Sequence, residues 1–428
     1  MNKSILHIAL PAIIANITVP LLGFIDTGIA GHLGKTEYIG AIAVGSMIFN
    51  LIYWNFGFLR MGTSGITAQA YGHNDLNLAK NTLIQAVSMA LVIAITIILL
   101  QYPIQWLAFT IIAPSVEVQT TAEAYYKICI WNAPAILSTM AIHGWFLGMQ
   151  DSTRPMYISI GVNIVNIITS IIAVFVCDMG FIGIAFGTLI ASYIGLLFSL
   201  LLIFQRHKNI FTEINWNEAL KLSCLNRFFS INSDIFMRSL CLMLVTLFFT
   251  AQGAGAGDTT LAANTLIMQL FILFSYFMDG FAFAGEAIVG KFTGAKDYDN
   301  RKRCIQHLFG WGFFITIIFT LIYGSGLQYI FSLITNDSAV ISSAMQYKWW
   351  CIAIPFAGMA AFIWDGVFIG MTATRSMLIS VFGASCAYFG LFYILPETCE
   401  NHRLWLSFIT YLALRGAIQT FIYFKRII

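Results

Sequence analysis

Charged residues are scarce in this sequence. Asp, Glu, Lys and Arg make up 10% of the 428 residues, whereas hydrophobic residues make up 59% and the mean hydropathy is +0.82. A chain of this length with so few charges has too little polar surface to fold as a soluble globular protein. The composition therefore excludes a soluble enzyme or binding domain and predicts an integral membrane protein.

Paired cysteine motifs are lacking too. The eight cysteines lie mostly within apolar stretches, and their spacing matches neither a disulfide framework nor a zinc site. We therefore expect no metal and no cofactor, and the net charge of +3 gives no sign of a nucleic-acid surface. The first residues, MNKSILHIALP, have no cleavage site before the apolar run continues, which predicts a retained first span rather than a cleaved signal peptide.

Long apolar runs are abundant. A helix needs about 20 residues to cross a bilayer, and the joints between the runs are too short to fold as soluble domains. The sequence predicts an all-α protein with twelve transmembrane helices, at 5–31, 39–63, 81–101, 122–147, 157–177, 182–204, 228–251, 262–289, 305–325, 342–370, 377–395 and 404–424.

The basic residues predict the orientation. With a cytoplasmic amino terminus, fifteen Lys and Arg residues lie in the inside joints and ends, and four lie outside, namely Lys35, Lys127, Lys348 and Arg403. Cytoplasmic loops carry the excess of basic residues. Both termini are therefore predicted to be cytoplasmic, in a multi-pass membrane protein.

The chain also contains an internal repeat. One constant offset superposes GITAQAYGHND (65–75) on AIVGKFTGAKD (287–297), and GWFLGMQ (144–150) on GVFIGMT (366–372). Six spans separate the two copies, so both halves have the same orientation. This predicts two pseudo-symmetric six-helix lobes, 1–204 and 228–428, joined by a basic cytoplasmic linker at 205–227.

One acidic residue interrupts the first apolar run. An ionisable group inside a spanning helix costs about 2.5–3.5 kcal/mol on insertion scales, so it usually faces a protein-lined or wet cavity. Asp26 is therefore a functional candidate. Pro11 and Pro20 each remove a backbone donor, so we expect this helix to bend.

Several phrases together resemble the MATE family of multidrug and toxic-compound exporters, most closely its DinF branch. They are FIDTGIAGHLG, TAQAYG, FLGMQDSTRP, DGFAFAGEA and WDGVFIGMTATRS. The resemblance implies alternating access between two lobes and export of amphipathic, often cationic organic compounds in exchange for protons or sodium. It also implies that Asp26 is the ion-coupling aspartate of the first helix and that Pro11 is the bending proline.

Three polar residues of the fifth span share one helical face. Asn163, Asn166 and Ser170 are spaced i, i+3 and i+7 and are predicted to hydrogen-bond toward Asp26 as part of the ion-coupling site. Packing of polar groups between helices is the alternative role. Family members often carry an aspartate where this chain has Ser170, so the departure favours protons over sodium as the coupling ion.

The second half contains further intramembrane acids. Asp365 matches the tenth-helix aspartate of the family and is predicted to be one of the ion-coupling residues. Asp279 and Glu286 are predicted either to pair with the charge of the substrate or to take part in gating. The seventh span has no glutamate of the kind that sodium-dependent relatives carry. Asp234 and Arg238 are spaced i, i+4, which predicts an ion pair within that span.

Other functions remain open at this stage. A lipid or lipid-linked flippase of the same superfamily shares the lobed architecture and is the main alternative. A transferase is disfavoured because His32 and Glu37 form no convincing reactive pair, and a channel because no repeated filter sequence occurs. We expect a monomer in contact with membrane lipid; the residues that bind substrate are not apparent from the sequence.

Overall fold

Helices account for nearly all of the chain that the computed structural model describes, which is residues 1–206, 222–396 and 400–426. No strand occurs in these ranges, so the predicted all-α class is confirmed. Numbered in order within them, the helices are α1 (Asn2–Gly31), α2 (Thr36–Asn55), α3 (Phe58–Gly72), α4 (Leu76–Leu99), α5 (Gln101–Ile112), α6 (Val116–Cys129), α7 (Ala133–Gly148), α8 (Thr153–Ile171), α9 (Ile182–Arg206), α10 (Leu222–Gly255), α11 (Asp258–Gly294), α12 (Tyr298–Ile334), α13 (Ser338–Gln346), α14 (Lys348–Gly370), α15 (Thr374–Ile394) and α16 (Glu400–Arg426).

Ten helical segments among the described residues are long and apolar enough to cross a membrane, and they correspond to ten of the twelve predicted spans. The other two predicted spans are helical as well. The span at 122–147 is divided by a 3-10 turn, Ile130–Asn132, into α6 and α7. The span at 404–424 lies within α16, whose apolar run is interrupted by Arg415 and Gln419.

Two of the joints predicted between spans are mostly helical. α11 and α12 contain 37 residues each, so each is about 55 Å long at a rise of 1.5 Å per residue. That length exceeds the roughly 30 Å of a hydrocarbon core. The polar stretches 69–80 and 291–303, which lie between predicted spans, reduce to three-residue turns at 73–75 and 295–297, because their other residues extend the helices on either side.

These two turns are built alike. Asp75 accepts a hydrogen bond from the backbone N–H of Leu78 at 2.9 Å, and Asp297 accepts one from Asn300 at 3.1 Å. Each aspartate satisfies an open donor at the start of the next helix. The residues before them, Asn74 and Lys296, have φ of 58° and 56°. Because these positions are related by the same offset as the repeated sequence segments, the structure supports the internal repeat.

The repeat also places two glycines at equivalent helix crossings. A Cβ atom at Gly144 of α7 would lie 2.9 Å from the carbonyl carbon of Arg60 on α3. At Gly366 of α14 it would lie 2.6 Å from the carbonyl carbon of Ala282 on α11. The two glycines, and the two residues that they approach, are again related by the offset of the repeat. Absence of a side chain therefore permits the same close backbone approach in both halves.

The chain divides into two compact units, Ile14–Asn232 and the combination of Met1–Ile13 with Ser233–Ile428. The predicted lobes were 1–204 and 228–428, so the structure differs by assigning the first part of α1 to the second unit. Residues 207–221, the greater part of the predicted linker, lie outside the described residues.

An apolar cluster organises the unit Ile14–Asn232. Trp145 of α7 is fully buried and donates its indole N–H to the carbonyl oxygen of Ala79 on α4 at 2.9 Å. Phe146, Ile158 and Ile203 belong to the same cluster. The cluster therefore joins α4, α7, α8 and α9 and supports the helices that carry the polar residues described next.

Candidate functional site

Asp26 is buried in α1, with 7% of the residue exposed. Its Oδ1 atom is buried and has no hydrogen-bond partner within the part of the chain that the structure describes. The carboxylate interacts electrostatically with Tyr125 and Cys129 of α6. A buried oxygen without a donor is costly while the group is charged. Asp26 is therefore the strongest candidate in its unit for binding a proton.

The polar face of α8 contacts two different helices. Asn163 donates its side-chain N–H to the carbonyl oxygen of Thr18 on α1 at 3.1 Å. Asn166 donates to the hydroxyl of Thr188 on α9 at 3.1 Å, and Ser170 donates to Oδ1 of Asn166 at 3.4 Å. The two asparagine bonds run to the backbone of α1 and to α9, and the Ser170 bond stays within α8, so all three go to groups other than the Asp26 carboxylate.

Tyr125 connects Asp26 with the polar face of α8. It is 6% exposed and interacts with Asp26 as well as with Thr188, which in turn bonds Asn166. Asp26, Asn166 and Ser170 are thus linked through Tyr125 and Thr188, two side chains that sequence reasoning missed, whereas Asn163 bonds instead to the backbone of α1. The available signal was the hydroxyl of Thr188 within the apolar run of α9; nothing in the sequence distinguished Tyr125 from other aromatic residues.

A π-helical turn, Ile172–Val176, directly follows this face of α8. Such turns insert an extra residue into a helix and occur frequently at functional sites. Gly183 lies against it, since a Cβ atom there would come within 2.9 Å of the backbone nitrogen of Val174. The end of α8 is therefore irregular and closely packed immediately after Ser170.

A second buried cluster surrounds Asp365 of α14. Its Oδ2 atom pairs with Arg238 of α10 and with Arg415 of α16, the latter at 2.6 Å, and its Oδ1 atom accepts from Gln419 at 2.8 Å. All four residues are buried. Three helices of this unit therefore meet at one carboxylate, both of whose oxygens accept hydrogen bonds.

The predicted ion pair between Asp234 and Arg238 is wrong. Arg238 pairs with Asp365, whereas Asp234 accepts from the Thr374 hydroxyl at 3.1 Å and pairs with Arg375 at 3.4 Å. The physical reason is burial, because the enclosed Asp365 carboxylate requires neutralisation from within the unit. Asp234 instead meets the first turn of α15, whose Arg375 side chain is 77% exposed.

The Asp365 cluster is poorly suited to a metal cation. Arg238 and Arg415 bring two positive charges to one carboxylate, so these three side chains carry a net charge of +1. An added sodium ion would face two guanidinium groups at short range and would have to displace them from the carboxylate oxygens. The geometry therefore makes Asp365 an anchor for arginines rather than an open cation ligand.

The acids of α11 occupy different surroundings. Glu286 is 1% exposed. A Cβ atom added to Gly370 of α14 would lie 2.8 Å from the Glu286 carbonyl oxygen, so the two helices approach closely at this residue. Asp279 is half-buried and interacts with Tyr276, while Ser275 bonds its own helix at the Ile272 carbonyl. The structure places both acids on α11, the helix that packs closely against α14.

Sequence comparison identifies relatives along nearly the whole chain. The MatE family profile matches residues 11–172 and 235–394. The chain is 34% identical to DNA damage-inducible protein F of Escherichia coli (strain K12) over 97% of this chain and 90% of that protein. It is 23% identical to the probable multidrug resistance protein NorM of Photorhabdus laumondii, over 88% of this chain and 83% of that protein.

Solved structures share the fold. A crystal structure of MATE in the bent conformation superposes with a TM-score of 0.89 at 18% identity, covering 100% of this chain and 95% of that one. The Vibrio cholerae MATE transporter VcmN in its bent form gives a TM-score of 0.86 at 16% identity, covering 99% and 96%. Together with the family profile and the 34% identical relative, these matches show that the chain belongs to the MatE family of multi-pass membrane transporters.

Proposed function

We propose that this transporter exports amphipathic organic cations by exchange with protons, and that Asp26 carries the proton. Membership of a transporter family supports the transport activity, and the names of relatives such as NorM support multidrug substrates. The observation that carries the coupling proposal is the Asp26 carboxylate, which is buried in a spanning helix with one oxygen lacking a hydrogen-bond donor among the described residues.

Protonation would change what Asp26 can do. The charged form brings a desolvated negative charge into an apolar helix, whereas the neutral form has no charge and gains an O–H donor. One proton can therefore shift a balance between two conformations by a few kcal/mol. The bond from Asn163 to Thr18 supplies a contact through which a rearrangement of α1 reaches α8.

The cycle follows from this difference. Asp26 takes up a proton from the outer side, α1 rearranges, and substrate affinity falls so that the organic cation leaves. The protein then opens inward, the proton departs to the cytoplasm, and the next substrate binds. We propose that the protein works in this way as a monomer in a bacterial inner membrane, with both termini cytoplasmic.

Protons are favoured over sodium for two structural reasons. Ser170, beside Asn166, contributes a hydroxyl rather than a carboxylate. The polar residues of α1 and α8 therefore offer one carboxylate, Asp26. A sodium site needs several charged or carbonyl oxygens as ligands. In the second unit, Asp365 is already bonded to two arginines. We propose a structural role for Asp365 in place of the ion-coupling role expected from the sequence.

The test is ethidium transport in proteoliposomes under an imposed proton gradient or sodium gradient. We expect proton-driven efflux by the wild type, loss of that efflux in Asp26→Asn, and retention in Asp178→Asn. Asp178 is an exposed control in the same unit, with φ of 51° that asparagine also adopts readily. Sodium-driven efflux that persists in Asp26→Asn would overturn the proposal, and absence of transport would redirect it to lipid-linked substrates.

A further inference from the structure

A cavity of about 480 Å³ lies between α5 and α6 in the unit Ile14–Asn232. Its volume falls in the range of about 300–1,000 Å³ that is typical of small-molecule sites. The residues that line it are all distinct from those of the polar network around Asp26. The cavity is therefore a candidate site in its own right.

Aromatic rings of α5 form one wall. Tyr102 and Trp106 line the cavity and are 71% and 70% exposed, and Phe109 lines it from a buried position. The face of an aromatic ring attracts a cation within about 6 Å of its centre, by about 0.5–1 kcal/mol at exposed sites. Three rings on one wall therefore favour a positively charged ligand with a planar or alkyl surface.

The opposite wall supplies the charge. Among the described residues, Glu123 of α6 is the only charged one that lines the cavity, and its Oε1 atom accepts a hydrogen bond from Gln119 at 2.9 Å. Gln105 of α5 adds a second amide. The Gln119 bond orients the carboxylate, so a single negative charge faces the aromatic wall.

The backbone around the cavity is fixed at both ends of α5. The Tyr126 hydroxyl of α6 donates to the carbonyl oxygen of Gln101 at 3.0 Å, where α5 begins. At the other end Ala113 adopts φ of 45°, and Pro114 follows it into the turn toward α6. The two walls are therefore held against each other before any ligand arrives, which lowers the entropic cost of binding.

The position of α5 brings the cavity to a membrane surface. α5 follows α4 after a single residue, at the end of α4 opposite its Asp75 cap. Tyr and Trp are enriched where helices meet the lipid headgroups. In the predicted orientation this is the outer surface, so the cavity would meet organic cations and ammonium-bearing lipid headgroups on that side.

We propose that this cavity binds an organic ammonium group, held between the α5 rings and the Glu123 carboxylate. A free organic cation and the headgroup of an aminophospholipid both present that chemistry. The site goes beyond the exchange of substrate for protons at Asp26, and its occupancy does not depend on whether Asp26 carries the coupling proton.

The test uses a local chemical probe. Thr110 lines the cavity from the exposed side, so Thr110→Cys can be labelled with a trimethylammonium methanethiosulfonate and with its sulfonate counterpart, each followed by mass spectrometry of the peptide that contains residue 110. The ratio of cationic to anionic labelling rates should fall about three- to tenfold when Glu123→Gln is added. Glu117→Gln, an exposed acid of the same helix outside the cavity, should leave the ratio nearly unchanged.

The ligand and its source are tested in the same protein. Ethidium should slow labelling of Thr110→Cys, and Trp106→Leu should weaken this protection about two- to fivefold while keeping the charge ratio. With an uncharged methanethiosulfonate, whose rate does not follow the surface charge of the bilayer, slower labelling in nanodiscs of phosphatidylethanolamine than of phosphatidylglycerol would assign the site to a lipid headgroup. Equal rates with ethidium protection would assign it to a free cation. A ratio that Glu117→Gln lowers as much as Glu123→Gln does, or labelling that neither ligand slows, would overturn the proposal.

Discussion

Two buried aspartates of this protein share a residue type and an apolar setting, and their neighbours give them different chemistry. Asp26 has a buried oxygen without a donor among the described residues, whereas both oxygens of Asp365 accept from Arg238, Arg415 or Gln419. Protonation removes a cost at the first site and breaks two ion pairs at the second. At the residue scale, the partners rather than the aspartate itself determine which carboxylate can exchange a proton.

Asp365→Asn should destabilise the protein strongly. Removing one partner of a buried ion pair leaves uncompensated charge and typically costs about 3–5 kcal/mol. Asp234→Asn removes a carboxylate whose cation, Arg375, is largely exposed, so we expect a loss of about 0–1 kcal/mol. Reversible unfolding of both variants in mixed micelles measures the difference. A loss of only about 0–1 kcal/mol in Asp365→Asn would show that the Asp365 cluster does not stabilise its unit.

Local sequence spacing explains why the partner of Arg238 was misassigned. The burial of Asp26 within a helix could be predicted because a lone acid in a long apolar run is visible without any knowledge of contacts. The partners of Asp365 could not, because Arg238, Arg415 and Gln419 are separated from it by 127, 50 and 54 residues. The i, i+4 spacing identifies only neighbours within one helix, so it predicted that Arg238 pairs with Asp234.

At the scale of single elements, hydropathy located the helices but not their interruptions. The predicted span at 39–63 consists of α2 and α3, separated at Phe56 and Gly57, and the span at 122–147 contains a 3-10 turn. A break in a helix changes the backbone hydrogen bonds without changing the hydropathy, so hydropathy averaged along the sequence does not reveal it. α5 was missed for the opposite reason, because a 12-residue helix is too short to appear as a span.

Glycine-to-alanine substitutions test the repeated helix crossings. Gly144→Ala and Gly366→Ala each place a methyl group against the backbone of a neighbouring helix, and overpacking of this kind costs about 1–3 kcal/mol. We expect both variants to lose thermal stability to a similar extent. Gly161→Ala, on α8, meets only a side-chain atom at 3.9 Å and should retain or slightly raise the melting temperature. Loss in only one of the two repeat variants would contradict equivalent packing.

For the whole molecule, the repeat is the feature that sequence and structure share most fully. Helix caps, positive-φ residues and glycine contacts recur at one constant offset along the chain, although few side chains are identical. Backbone geometry restricts these few positions tightly and leaves most others free. The sequence could therefore reveal the duplication while placing the boundary between the two units some residues away from where the structure divides them.

Accessibility labelling in intact cells tests the predicted orientation. Cysteines introduced in place of Lys35 and Lys302, both exposed at turns or helix ends, are predicted to lie outside and inside, respectively. In a background whose eight native cysteines, among them the exposed Cys177, are replaced by serine, a membrane-impermeant maleimide should therefore modify Lys35→Cys in intact cells and Lys302→Cys only after permeabilisation. The reverse pattern would place the termini outside and would move the α5 cavity to the cytoplasmic surface.

Proton release on substrate binding is the most direct test of the account. Addition of ethidium to purified protein in weakly buffered detergent should release protons from the wild type and from Asp178→Asn, because exchange requires substrate and proton to compete through Asp26. Asp26→Asn should release none while still folding, as judged by an unchanged elution volume. Undiminished release from Asp26→Asn would show that another group carries the proton and would contradict the coupling assigned to α1.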